Sequence, residues 1–209
     1  MNSKSLAERL AEKSEEMNSL LPLIAHPPEG VEFATLQESY RRLDAEVLHL
    51  ERQLAAERQE SYAVPWLVEG ATFDFTYSPK VLGDPLNCVL VARTKDASYA
   101  VLQFRLSIGY KWSGINDEVL HGYPLYERGL RPYGAFVVER STWIDELQKV
   151  HAVHSGYAPE HWNSYTHYLL TFKDGIVEIA AKEFKEAGDF ETRAEAMDAA
   201  LAVGMSANF

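Results

Sequence analysis

Residues 166–184 read T-H-Y-L-L-T-F-K-D-G-I-V-E-I-A-A-K-E-F, and they decide the class of fold. The Asp-Gly pair in Lys173-Asp174-Gly175-Ile176 favours a tight turn, because both residues tolerate the positive φ angles that a two-residue hairpin needs. The β-rich runs on either side, 166–172 and 177–184, predict two antiparallel strands. We therefore expect an antiparallel sheet in the core of this protein.

The position of this turn also sets which residues face each other. A two-residue Asp-Gly loop pairs Thr171 with Glu178 and places His167 opposite Lys182. Side chains in a strand alternate between its two faces, so every second residue points to the core. The core face is expected to carry Tyr168, Leu170, Phe172, Val177 and Ile179.

Period-two alternation predicts further strands earlier in the chain. Residues 100–108 alternate most regularly, 87–93 and 135–140 are short β-rich runs, and 71–77 form a fourth candidate. In the last of these, the residues expected on one face are Ala71, Phe73, Phe75 and Tyr77.

Two helices are expected to pack on these strands. Ser141 or Thr142 can cap the first helix. Thr192 and Glu195 form a capping box at the start of the second, which Gly204 is expected to end. Strands and helices follow one another without regular βαβ alternation. The fold class is therefore predicted as α+β, with a mostly antiparallel sheet.

The N-terminal part predicts an antiparallel helical hairpin, which gives two domains, 1–60 and 61–209. Proline and glycine in 26–30 end the first helix. Apolar residues in the second helix recur at steps of three and four, which is a coiled-coil period. We expect this seam to pack on the body of the protein or, preferentially, on a second copy in a homodimer. The seam consists of Leu36, Tyr40, Leu43, Val47, Leu50 and Leu54.

Composition restricts the class of partner. The chain has 209 residues, 46% of them hydrophobic, and a formal net charge of −11 at pH 7. Such acidity disfavours nucleic-acid binding, which needs clustered Lys and Arg, and is compatible with a basic protein partner. No apolar run approaches the ~20 residues of a membrane span and no secretory signal is visible, so we expect a cytoplasmic protein. The single cysteine, Cys88, lies in an apolar run and is expected to be a buried, inert thiol.

Residues 110–143 combine aromatic rings, polar groups and turn residues, and we call them the aromatic stretch. Such a mixture is typical of a recognition surface or pocket lining, and equally of a long ordered loop that covers a sheet. If the stretch is a recognition surface, its candidate binding residues are Trp112, Asn116, Tyr123, Tyr126 and Glu139.

Catalytic motifs are weak in this sequence. Asp117, Glu118 and His121 could form an acid/base group. Adjacent carboxylates in a glycine-rich loop are more often solvated or capping groups. The sequence contains neither a G-x-S-x-G nucleophile elbow nor a G-x-x-x-x-G-K-[ST] phosphate loop.

Three histidines have a spacing that could suit a metal. They are expected to be structural or surface residues, because no paired-cysteine or H-E-x-x-H pattern accompanies them. We therefore expect no metal and no other cofactor. The weak metal candidates are His151, His154 and His161.

Three runs within residues 104–184 read W-S-G-I-N-D-E, H-G-Y-P-L-Y-E-R-G-L-R-P-Y-G-A-F-V-V-E-R-S-T-W-I and H-Y-L-L-T-F-K-D-G-I-V-E-I-A-A. Together they resemble a family of small uncharacterised bacterial proteins. Members of that family carry His in an F-H-D turn where this chain has Lys173, which argues against Lys173 as a fixed catalytic position. The resemblance implies a bacterial or phage-borne origin and supplies no activity.

The lack of a decisive motif favours a non-catalytic protein-interaction protein, such as an inhibitor or immunity-type protein. In this hypothesis the aromatic stretch and the acidic surface meet a protein partner. The alternative is a small-ligand-binding protein or an enzyme, with a pocket in 110–126 and acid/base groups from Asp117, Glu118 and His121.

Overall fold

The computed structural model describes residues 4–66, 72–84 and 86–205. The α-helices are α1 (Leu6–Ala25), α2 (Phe33–Glu57), α3 (Thr142–His151) and α4 (Arg193–Met205). Short 3-10 turns lie at Leu120–Gly122, Tyr126–Arg128 and Pro159–Ser164. The strands are β1 (Tyr62–Pro65), β2 (Lys80–Gly83), β3 (Asn87–Arg93), β4 (Tyr99–Arg105), β5 (Gly109–Ser113), β6 (Gly134–Glu139), β7 (Thr166–Phe172), β8 (Gly175–Ala181) and β9 (Glu183–Phe190).

The strands form two antiparallel sheets that pack face to face. One sheet has the order β1-β6-β7-β8-β5 and the other has the order β2-β3-β4-β9. Side chains from both sheets fill the space between them and form the main hydrophobic core. The α+β prediction is confirmed, with the strands divided between two sheets. The core residues include Cys88, Leu90, Leu102 and Phe104 from one sheet and Tyr168, Leu170, Phe172, Val177 and Ile179 from the other.

Other parts of the chain cover the outer face of each sheet. Helix α4 packs on the four-stranded sheet through Ala196 and Ala200. The outer face of the five-stranded sheet is covered by Leu120, Leu125 and Leu130 of the aromatic stretch. The aromatic stretch therefore covers a sheet through its leucines, and Tyr123 and Tyr126 pack against the same cluster.

The hairpin between β7 and β8 forms, but its loop is Lys173-Asp174, one residue earlier than predicted. Gly175 lies inside β8, and its φ angle is not positive. A Cβ atom on Gly175 would lie 2.6 Å from the carbonyl oxygen of Ser113. This glycine is needed for the close approach of β5 and not for the turn. The predicted pairing of Thr171 with Glu178 is wrong, because the loop lies one residue earlier and Thr171 pairs with Ile176.

The register shift moves each pairing by two positions. His167 lies opposite Ala180 instead of Lys182, and Leu169 lies opposite Glu178. A shift of two residues keeps every side chain on its face, whereas a shift of one would reverse the faces. The predicted core face is therefore confirmed for Tyr168, Leu170, Phe172, Val177 and Ile179.

The strand predicted at 71–77 does not form within the described residues 72–77. Phe73 makes a single β-bridge with Thr94. The carboxylate of Asp74 accepts the backbone N–H of Thr76 at 3.2 Å, which closes a turn where a strand would continue. Ala71 lies outside the described residues.

The returning strand predicted at 177–184 is in fact two strands. Thr166 at the start of β7 pairs with Ala181, so β7 offers β8 no partner beyond that residue. Lys182 connects β8 to β9, and Glu183 at the start of β9 pairs with Arg105 in the other sheet. At this crossing the two sheets are connected by a single residue.

Local capping signals are mostly confirmed. The N–H of Glu195 donates to Thr192 Oγ1 at 3.3 Å, and the N–H of Thr192 donates to Glu195 Oε2 at 3.1 Å. Ser141 caps α3, because its Oγ accepts the N–H of Ile144 at 3.2 Å. Gly204 does not end α4, which continues for one more residue.

Helices α1 and α2 form the predicted hairpin, and α2 also packs on the body of the protein. Cys88 is fully buried, as predicted. Burial raises the pKa of its thiol to about 12, so the thiol is protonated and inert at neutral pH.

No helix in the described part of the chain is long and apolar enough to cross a membrane.

Arg131 fixes α2 to the aromatic stretch. Its Nη1 and Nη2 donate to the two carboxylate oxygens of Glu51, each at 3.1 Å, and its Nε donates to Asp44 at 3.0 Å. Nη1 also donates to the carbonyl oxygens of Tyr126 at 3.0 Å and Leu130 at 2.9 Å. Burial acts to lower the pKa of Arg131, but the pairs with Glu51 and Asp44 outweigh it and raise the pKa. We call this arrangement the Arg131 fork.

The Arg131 fork gives a test of how the hairpin is attached. Glu51→Ala is expected to lower the free energy of unfolding by about 3–5 kcal/mol, because it leaves the largely desolvated guanidinium of the partly buried Arg131 without its bidentate partner. Urea unfolding followed by circular dichroism measures this loss.

The matched control is Glu183→Ala. Glu183 pairs with Arg105 at 3.0 Å, but both side chains are about half exposed. An exposed pair contributes less than about 1 kcal/mol, so this variant should unfold almost like the unmodified protein. Equal losses in the two variants would show that the fork does not hold the hairpin.

Candidate functional site

A groove of about 1040 Å³ lies between the helical hairpin and residues 121–132 of the aromatic stretch. The α1 residues that line it are three and four apart, so they form one helical face. No residue of α1 is fully buried, and this face is therefore accessible from the groove. The lining residues include Ala7, Leu10, Ala11, Ser14, Met17 and Asn18 on α1, Tyr40, Asp44, Val47, Glu51, Leu54 and Ala55 on α2, and Arg58 directly after α2. Those of the aromatic stretch are His121, Tyr123, Pro124, Tyr126, Glu127, Arg128, Arg131 and Pro132.

The seam of α2 contributes to both the interior and this groove, and Val47 belongs to both. Its buried residues are covered within the single chain by α1 and by the body of the protein. Its partly exposed residues lie along the groove. The homodimer stays a prediction. The buried residues are Leu36, Leu43, Val47 and Leu50, and the partly exposed ones are Tyr40 and Leu54.

Tyr123 connects the groove to a buried polar cluster on the five-stranded sheet. Its phenol group interacts electrostatically with the carboxylate of Glu178 on β8. Glu178 Oε2 lies 3.0 Å from His167 Nε2 and 3.9 Å from Lys111 Nζ. The Lys111 ammonium also lies 3.8 Å from the centroid of the Trp143 ring, which is a cation–π contact. The strands β5, β7 and β8 position these groups, because their outward side chains are neighbours on one face.

The cluster changes the acidity of its members. Burial acts to raise the pKa of Glu178, but His167, Lys111 and Tyr123 outweigh it, so the pKa is lowered and the carboxylate is charged. Burial, together with the Glu178 charge, raises the pKa of Tyr123. Tyr123 is therefore a neutral phenol that can donate to Glu178 at physiological pH.

His167 lies between Glu178 and Ser141, and one tautomer of the neutral ring suits both neighbours. Ser141 Oγ lies 2.8 Å from Nδ1 and already accepts the N–H of Ile144. In that tautomer the proton is on Nε2, beside the Glu178 carboxylate. The unprotonated Nδ1 can then accept the Ser141 hydroxyl. Nε2 makes no directed hydrogen bond within the described residues, although it lies at ion-pair distance from Glu178.

Serine, histidine and carboxylate in series resemble the order of groups in a nucleophilic triad. Here Ser141, His167 and Glu178 are all buried, and the serine hydroxyl is occupied as a helix cap. This arrangement ties the start of α3 to the sheet. We therefore interpret the cluster as a structural support for the groove wall and not as a nucleophilic site.

The predicted acid/base residues are not brought together. The carboxylate of Asp117 accepts the hydroxyl of Tyr133. Glu118 and His121 are exposed, and His121 lines the groove. Within the described residues, no hydrogen bond or ion pair joins His121 to either carboxylate.

The predicted binding residues lie on different surfaces. Tyr123 and Tyr126 line the groove. Trp112 is 45% exposed and lies on the edge strand β5, where it packs beside Gly175. The other two are Asn116, which accepts the backbone N–H of Val119 at 3.3 Å, and Glu139, which is exposed at the end of β6.

The three candidate metal ligands do come together. His151, His154 and His161 line one small cavity beside Trp162. Among the described residues, however, no three His, Cys, Asp or Glu side chains are arranged so that they could hold a metal ion.

Sequence reasoning missed the members of the Arg131 fork and the polar cluster. Glu51 and Arg131 are 80 positions apart, and each looks like an ordinary surface charge in the sequence. His167 and Glu178 gave one signal, because each is a polar residue within an apolar strand. A polar side chain in such a strand requires a partner, but the sequence does not identify it.

No protein family model matches this chain, and searches of curated proteins and of solved structures find no significant match.

Glu178 gives the fold a pH-dependent stability. Its pKa is lower in the folded than in the unfolded protein, so its contribution is present above about pH 4.3 and is lost as the pH falls through the folded-state value. Glu178→Gln is expected to cost about 1–3 kcal/mol at neutral pH. Urea unfolding should show that the difference from the unmodified protein shrinks towards about pH 3.

Glu183→Gln serves as the control, because that carboxylate is about half exposed. It should change stability little at any pH. A Glu178→Gln difference that stays constant from about pH 5 to pH 3 would contradict a stabilising charge at this position.

Proposed function

We propose that this chain is a non-catalytic interaction protein that binds a helical segment of a protein partner in the groove between the hairpin and the aromatic stretch. The observation that carries this proposal is the accessible face of α1 opposite Tyr123 and Tyr126. Two helices and a loop already form three sides of a helix-sized space. A helix from a partner would supply the fourth side.

The dimensions of the groove support a helix as its occupant. The α1 wall runs from Ala7 to Asn18, which corresponds to about 16 Å at 1.5 Å per residue. An α-helix of that length and ~10–12 Å diameter occupies roughly 1300–1800 Å³. The groove encloses about 1040 Å³ and is open on one side, so part of such a helix would remain outside it. Two to three turns of a helix therefore suit the space.

The chemistry of the groove supports an amphipathic helix. Leu10, Met17 and Leu54 offer apolar contacts, and Tyr40 and Tyr126 add rings with polar tips. Acidic residues outnumber basic ones in residues 1–60 and in the whole chain, so a basic outer face on the partner helix would be favoured.

An inhibitor or immunity role of bacterial or phage origin agrees with this binding mode. Such proteins act by occupying a partner and need no catalytic group. The cytoplasmic location expected from the sequence is compatible with that role. The predicted homodimer would place a second copy of this chain in the same groove, so it is the competing occupant.

Filling the groove tests the proposal. Ala11→Trp places a large ring in the space that the partner helix would take and should weaken binding by ~2 kcal/mol or more, about thirtyfold. The bait is the tagged full chain, incubated with an extract of its source cells, and bound proteins are identified by mass spectrometry. Hydrogen exchange on the complex should show protection in 7–18 and 40–58.

Glu15→Trp is the control, because it adds the same ring on the same helix at a position that does not line the groove. It should retain the partner that Ala11→Trp loses. Retention of the partner by both variants would contradict the groove as the binding site. A bound metabolite without a protein would favour the small-ligand alternative, and light scattering that shows a dimer disrupted by Ala11→Trp would favour the second copy.

A further inference from the structure

A second concave feature lies away from the groove. It is a cavity of about 230 Å³ between the end of α3, the 3-10 turn Pro159–Ser164, and the residues Ile108 and Lys182. It shares no lining residue with the groove. Any ligand here would be independent of the proposed partner helix.

Among the described residues, the side chains around this cavity include basic groups and no acidic one. The lining contains three histidines and one lysine, His151, His154, His161 and Lys182, and no carboxylate. The whole chain has a formal net charge of −11, so a cavity without lining carboxylates contrasts with the rest of the protein. Basic side chains around a concave space attract anions.

Charged groups on the neighbouring elements do not reverse this sign. Asp145, Glu146 and Lys149 on α3 and Glu160 on the 3-10 turn are exposed, and none of them lines the cavity. Glu183, which follows Lys182, pairs with Arg105 at 3.0 Å. The nearest carboxylates in the sequence are therefore outside the cavity or already paired.

Two lining groups are prepared to donate hydrogen bonds. His154 Nδ1 accepts the N–H of Gly156 at 3.0 Å, so the neutral ring carries its proton on Nε2 and can donate from there. The Tyr157 hydroxyl accepts from Gln148 Nε2 at 2.7 Å, which leaves its own hydrogen available. Both groups can thus donate to an anion without first taking up a proton.

Aromatic rings hold two of the basic groups in place. The His151 ring lies 5.2 Å from the ring of Trp162, which is buried. The Lys182 ammonium lies 4.9 Å from the centroid of the Tyr165 ring. These contacts reduce the freedom that the side chains would lose when a ligand binds.

We propose that this cavity binds a phosphate group, either as the free ion or as a small monoester. An oxyanion with several acceptor oxygens suits convergent histidine, lysine and tyrosine donors. The cavity holds the volume of roughly eight water molecules at ~30 Å³ each, which is enough for a phosphate and a small organic part. A metal is not supported, because no suitable group of ligands exists among the described residues.

Sulfate is the first probe, because its charge stays constant over the pH range in which histidine titrates. Titration of the full chain, followed by the imidazole resonances in NMR spectra, should show saturable binding. Binding should be ~tenfold tighter at about pH 5.5 than at pH 8, because histidine gains positive charge as the pH falls. Inorganic phosphate and phenyl phosphate should compete for the same resonances, and the tighter of the two identifies the free ion or the monoester as the preferred source.

Variants locate the site. His161→Gln and Lys182→Gln should each weaken sulfate binding by ~fivefold to tenfold, and His161→Gln should also flatten the pH dependence. Lys149→Gln removes one charge from α3, outside the cavity, and should leave binding within about twofold of the unmodified value. Thermal melting should show that all three variants are folded.

Three results would overturn the proposal. The first is the absence of saturable shifts with sulfate and phosphate. The second is equal weakening by Lys149→Gln, which would show a general effect of surface charge. The third is stoichiometric zinc binding that His161→Gln abolishes.

Discussion

The position of the N-terminal hairpin depends on one partly buried guanidinium. Arg131 uses all three of its nitrogens, with both oxygens of Glu51, with Asp44 and with two backbone carbonyls of the aromatic stretch. A buried ion pair contributes little net stability over an apolar packing, but its geometry is specific and its separation is costly. The fork therefore acts mainly as a spacer, since it sets the distance between α2 and the aromatic stretch and with it the width of the groove.

The aromatic stretch combines the two roles that its composition left open. Leu120, Leu125 and Leu130 cover the five-stranded sheet, whereas Tyr123 and Tyr126 line the groove. Tyr123 belongs to both layers, because it lines the groove and its phenol interacts electrostatically with Glu178. The wall of the groove is thus continuous with the buried polar cluster that fixes α3. A rigid wall lowers the entropic cost of binding, which favours recognition by preformed surfaces.

Local signals in the sequence predicted local structure well. The hairpin helices, the caps at Ser141 and Thr192, and the core face of β7 and β8 follow from patterns that span a few residues. Features that depend on distant neighbours were not predictable. Gly175 looked like a turn residue, but the close approach of the Ser113 carbonyl oxygen is what requires a glycine there. Nothing around Glu51 in the sequence indicated that it pairs with Arg131, 80 positions away. Of the candidate site, the sequence pointed to Tyr123 and Tyr126, which line the groove, but not to the residues that support them.

The one-residue link at Lys182 has a consequence for how the chain folds. Strands β8 and β9 are consecutive yet belong to different sheets, so neither sheet can be completed without placing part of the other. Strand β9 pairs with β4, where the ion pair of Arg105 and Glu183 joins residues 78 positions apart. Closing such large loops is slow, because their entropy is lost before the contacts are gained. The two sheets should therefore fold late and together, in one cooperative step, because Lys182 leaves no slack between β8 and β9.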